Sequence, residues 1–189
     1  MDDQIKLQRR DYAAGFAAYI KLKLMQSRAF LLVFASLLPV CAVAASASDA
    51  VAFANARGEK AALAQFFACD DSGNEAYARV SSGSRQWLAI AVRLLPHADA
   101  CYTTSLHDAI ARAIVPATSG VLALVDSSPE LKASNICVPF LSAEQPSSGH
   151  LAYLLNAERA LQRVSAQRLQ AAKRACLVEI ASQRKSLRK

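Results

Sequence analysis

The sequence predicts an all-α fold: a small helical domain of about five to seven helices, disulfide-stapled, ending in a long C-terminal helix or helical hairpin. Three observations carry that expectation. Apolar residues recur at helical spacing in three separate windows. From Ser148 to Ser182 there is no proline and no glycine after Gly149, and the helix formers Ala, Leu, Gln and Arg dominate. Only 6 glycines occur in 189 residues, too few for the tight turns of a β-rich fold.

In chain order, the first feature is an export segment. Twenty consecutive residues, Ala29 to Ser48, carry no charge. The basic flank (Lys21, Lys23, Arg28), the apolar run Phe30 to Leu38, the breaker Pro39 and the small-residue exit Ala45-Ser46-Ala47 follow the order of a signal peptide. Residues 1–47 are therefore expected to be removed, with cleavage after Ala47; Met25 marks an alternative start at a more usual signal length. The other reading of residues 29–48 is an uncleaved membrane anchor, since twenty residues at about 1.5 Å each span about 30 Å of hydrocarbon. Cleavage is favoured because the run fades into Ala and Ser. Cys41 follows Val40, which argues against acylation of a lipoprotein type.

Residues 48–182 then form one helical domain, followed by a basic tail, 183–189. Glu59 to Cys69 carries Ala62, Leu63, Phe66 and Phe67 on one face and runs into the terminator Asp70-Asp71-Ser72-Gly73. Trp87, Ile90, Ala91, Leu94 and Leu95 form the next apolar stripe, with Ser82 or Ser84 as cap and Pro96 as stop. Leu106, Ala109, Ile110, Ala113 and Ile114 repeat it between Ser105 and Pro116. Thr118 or Ser119 can cap a short helix, Gly120 to Val125. Asn135 to Leu141, interrupted by Pro139, allows at most a turn or two, and Ala143 to Gly149 reads as loop. A continuous helix from Ser148 to Ser182 would be a rod of roughly 50 Å, longer than the roughly 37 Å diameter of a domain of this size. The stripe Leu154, Ala157, Leu161, Val164 also points about 75° away from Leu169, Ala172, Cys176, Ile180 at about 100° per residue. A kink or tight hairpin is expected at Val164-Ser165, with Ser165 as a new cap. Trp87, Phe66, Phe67 and Phe140 are expected in the core.

Removing the leader leaves four cysteines, an even set that in an exported chain reads as two disulfides. A hairpin returning Cys176 toward Cys137 favours Cys137–Cys176, which leaves Cys69–Cys101. No pair has the spacing of a zinc or thiol-redox site, no phosphate loop, nucleophile elbow or zinc-protease helix occurs, and Asp70 to Ser81 lacks the glycine and closing glutamate of a calcium loop. His97, His107 and His150 read as solvated. No catalytic, cofactor or metal residue is therefore assigned, and an enzyme is not expected.

The chain holds 22 Lys+Arg and 15 Asp+Glu, net +7, with 53% apolar and 20% charged residues, which excludes a disordered polyelectrolyte. The charge is uneven. Residues 48–150 carry 7 basic and 10 acidic groups, whereas 151–189 carry 9 and 2. The mildly acidic body removes nucleic acid from the expected partners. The expected function is that of an exported (periplasmic or secreted) binding protein that engages another envelope or extracellular protein in an accessory, inhibitor or immunity-type role. The alternative is a module that binds an anionic membrane surface through Arg159, Arg163, Arg184, Lys185, Arg188 and Lys189. A third reading is a small hydrolase, which would require a concave cleft holding two acids.

Overall fold

A computed structural model of the chain describes residues 46–67, 69, 75–140 and 147–187. The bulk of the export segment, Met25, Cys41, the Asp70–Asn74 turn, the 141–146 part of the expected loop, and Arg188 and Lys189 lie outside the described residues. Among those described, the protein is all-α, with nine α-helices and no strand. No helix of the described residues is long and apolar enough to cross a membrane.

Helix α1 (Ala47–Arg57) opens with a capping box between Ser46 and Asp49 and buries the small residues Ala47, Ala50 and Ala54. Gly58, at φ 88°, ends it and begins α2 (Glu59–Phe66); such a left-handed φ favours glycine. Arg93 pairs with Glu59 at 2.9 Å and ties α2 to α4. Helices α3 (Glu75–Ser81) and α4 (Arg85–Leu94) follow, and all five residues of the predicted stripe from Trp87 to Leu95 are buried. Phe67 sits at the centre of an aromatic group, edge-on to Tyr77 at 5.1 Å and to Trp87 at 6.2 Å.

The next two helices differ from expectation at their ends. Helix α5 (Ala100–Arg112) begins at Asp99, whose carboxylate accepts from the Tyr102 amide, and not at Ser105. Pro116 does not end a helix: it lies in the first turn of α6 (Ile114–Leu122), where a missing amide proton costs no internal bond. The ladder instead bends at Ala117 (φ −137°, ψ 44°). Thr118 is no cap, since its hydroxyl donates to the Ile114 carbonyl at 2.8 Å.

A single turn, α7 (Ala133–Ile136), precedes the long end segment, which is broken as the changing stripe indicates. Helix α8 (Ser147–Gln162) begins inside the expected loop, and α9 (Gln170–Ser186) packs against it. Ser165 does not cap α9; a short 3-10 turn (Gln167–Leu169) leads into it. The break is held by Lys173, whose ammonium donates to the Gln162 and Val164 carbonyls at 3.0 and 2.9 Å. Cys137 and Cys176 are bonded with Cα atoms 5.1 Å apart, and Cys69 and Cys101 with Cα atoms 5.8 Å apart. These are the two pairings expected above, and they suit an oxidising compartment better than a reducing cytosol.

Three residues stand where the sequence does not place them, among them His107, expected in solvent and half-buried. Phe140, expected in the core, is 62% exposed. His150, expected in solvent, is buried in α8.

Candidate functional site

The feature most suited to recognition is an open cleft of about 490 Å³ between α5, the α7 segment and α9, lined among others by Thr104, His107, Asp108, Asn135, Phe140, Glu179 and Gln183. Its position follows from the buried disulfide. Cys137 and Cys176 are both inaccessible, so the chain leaving α7 is fixed to α9 immediately before Val138-Pro139-Phe140. Pro139 is buried, and Phe140 is the next residue to emerge.

Asp108 fixes Phe140 from the α5 side. One carboxylate oxygen accepts from the Arg112 guanidinium at 2.7 Å, and the other accepts from the Phe140 backbone amide at 2.9 Å. An exposed aromatic ring is thus presented by a backbone braced at Cys137 and at the Phe140 amide. His107, one residue earlier, is half-buried, and its Nε2 lies 2.9 Å from the Glu130 carbonyl. A carbonyl only accepts, so Nε2 carries the proton. Asn135 donates to the same carbonyl at 3.0 Å, and the short turn Pro129–Leu131 is clamped onto α5 and α7. Burial holds the His107 pKa below its ordinary value, against the opposing pull of the Glu130 carbonyl and carboxylate.

The two acids required by a hydrolase reading, Asp108 and Glu179, do line this cleft. Asp108 is committed to Arg112 and Phe140, so its role here is that of a brace. Among the described residues no three of His, Cys, Asp and Glu gather as a metal site needs.

Of the basic residues singled out in the sequence, Arg159, Arg163, Arg184 and Lys185 are among the described residues. Arg184 is paired with Glu158 and joins α9 to α8. Arg159 is exposed and reaches Asn156 at 3.4 Å, Arg163 is exposed just past α8, and Lys185 is exposed near the end of α9. Lys173, which charge counting did not single out, serves the α8 terminus instead.

Tyr153 of α8 points inward: it donates to the Ala111 carbonyl, and burial raises its pKa. Phe140 is grouped in sequence with Trp87, Phe66 and Phe67 as a core aromatic, and the structure places it outside instead. One signal was readable: Phe140 belongs to no apolar stripe and follows a helix-breaking proline. No protein-family model, no curated protein and no solved structure matches this chain.

Proposed function

We propose that the protein is exported and works by binding, engaging another protein of the envelope or exterior through the cleft rimmed by Phe140, in an accessory, inhibitor or immunity-type role. The observation that carries this is the 62% exposure of Phe140 on a backbone held by Asp108 and by the nearby Cys137–Cys176 bond. A large apolar side chain on a backbone already held in place costs less backbone ordering on binding than one on a free loop. Aromatic anchors of this kind dominate binding energies, and polar groups such as Asn135 and Gln183 beside them supply a rim. Export is supported by the uncharged segment 29–48 with its basic flank, and by the two disulfides.

A photoreactive phenylalanine analogue at position 140, expressed in the exported protein, tests the surface. It should yield one discrete cross-linked protein in intact cells, and the analogue at exposed Val115 should not. With the partner so identified, Phe140→Ala should weaken binding by about 30-fold, the loss of roughly 2 kcal/mol at an anchor residue. Binding that ignores Phe140→Ala but disappears at high salt would sink the cleft reading in favour of the basic face.

A further inference from the structure

We infer that the export segment is removed between Ala44 and Ala45, three residues before the cut that the leader pattern first suggests; the inference rests on the export reading above. Two small-x-small signatures adjoin here, Ala42-Val43-Ala44 and Ala45-Ser46-Ala47, and each meets the small-residue requirement of a cleavage site. Pattern alone does not choose between them. The folded domain does, because Ser46 and Ala47 belong to it.

Ser46 is the N-cap of α1. Its hydroxyl accepts from the Asp49 amide at 3.1 Å, its own amide donates to the Asp49 carboxylate at 3.0 Å, and its carbonyl accepts from the Ala50 amide at 3.2 Å. Hydrogen bonds to Ser46 also hold the Asp49 carboxyl below its ordinary pKa. Ala47 is the first residue of the helix, is only 6% exposed, and lines the groove between α1 and α4 beside Ile90.

A cut after Ala47 would delete the cap and the first buried residue, and would place a new ammonium on Ser48 at the positive end of the helix dipole. A cut after Ala44 keeps every one of these contacts and leaves Ala45 ahead of the cap. Pro39 still separates the apolar run from the scissile bond, by five residues. The step is hydrolysis by a signal peptidase of the exporting cell: one water is consumed, the Ala44–Ala45 peptide bond breaks, and a carboxylate on Ala44 and an ammonium on Ala45 result.

The test is N-terminal sequencing of the protein recovered from outside the cytoplasm after expression of the full chain. Ala-Ser-Ala-Ser-Asp is expected. Ser-Asp-Ala-Val, or a protein recovered there with residues 1–44 still attached, would overturn the inference and leave export standing, whereas a protein confined to the cytoplasm would overturn both. Ser46→Ala supplies a second readout. If Ser46 is retained, the exported variant should melt about 2 to 5 °C lower, as loss of an N-cap implies for a domain of this size. If the cut falls after Ala47, the variant and the wild type are the same mature molecule, and an unchanged melting temperature would reject the Ala44 site.

Discussion

His107 shows how much of a residue's chemistry is decided by what folds over it. In sequence it follows the apolar Leu106 and falls off the buried stripe of its helix. In the fold, a turn 23 residues further along closes on it and takes its Nε2 proton into a hydrogen bond. Burial then depresses its pKa below the ordinary 6.5, so the unfolded chain binds a proton more readily than the folded one. The stability this contributes is complete above pH 6.5 and falls away as pH drops from there toward the lower folded value. His107→Gln keeps a donor toward the Glu130 carbonyl without titrating. Urea unfolding at pH 7.5 and pH 5 should show a larger acid-side loss for the wild type than for His107→Gln; equal losses would refute the assignment.

At the scale of elements, helix centres are legible and helix ends only in part: α4 does begin after Ser84 and end before Pro96. The stripes from Trp87 and from Leu106 are buried as spaced, as are Leu154, Ala157 and Leu161 of the next, because a period of 3.6 fixes which side chains share a face wherever the helix begins; Val164, past the end of α8, is only half-buried. Ends depend on competition among caps. Asp99 prevails over Ser105, and Pro116 is tolerated because the chain turns a corner just before it. Helix α1 escaped notice because its buried face is alanine, which gives little contrast with its surroundings.

The approach of α6 to the α3–α4 turn was equally unreadable. Gly83 sits there at φ 78°, and a Cβ on it would lie 2.5 Å from the Ala117 Cβ. Gly83→Ala should therefore destabilise the domain by about 1 to 3 kcal/mol, from steric overlap together with an unfavourable φ. Adding Ala117→Gly should restore the steric part only. Chemical denaturation of the single and double variants measures both, and a neutral Gly83→Ala would show that the two elements do not pack this closely.

For the molecule as a whole, the two disulfides are placed very differently. Cys137 and Cys176 are inaccessible, whereas Cys69 and Cys101 are both exposed. Thiol–disulfide exchange needs the attacking thiolate to reach a sulfur, so access sets the order of reduction. Under native conditions a mild reductant followed by alkylation should label Cys69 and Cys101 first, and should label Cys137 and Cys176 only at the rate of larger opening. Loss of the buried bond, which closes a separation of 39 residues, should cost about 4 kcal/mol and release the Phe140 segment from α9. Simultaneous labelling of all four sulfurs would contradict this architecture.

The sequence by itself determined the fold class, the helical stripes and the break near Val164, and through that break it favoured the cysteine pairing that the structure holds. Each of these follows from local periodicity, proline and glycine placement, or the finite size of a domain. Only the tertiary structure decided that Phe140 faces outward, that Asp108 braces it, that Arg184 is paired with Glu158, and that Ser46 belongs to the folded domain. Those facts depend on contacts between residues 26 to 32 positions apart, or on a capping box that a leader pattern overlaps. A linear pattern reports which face a residue lies on; what covers that face is settled only when the helices pack.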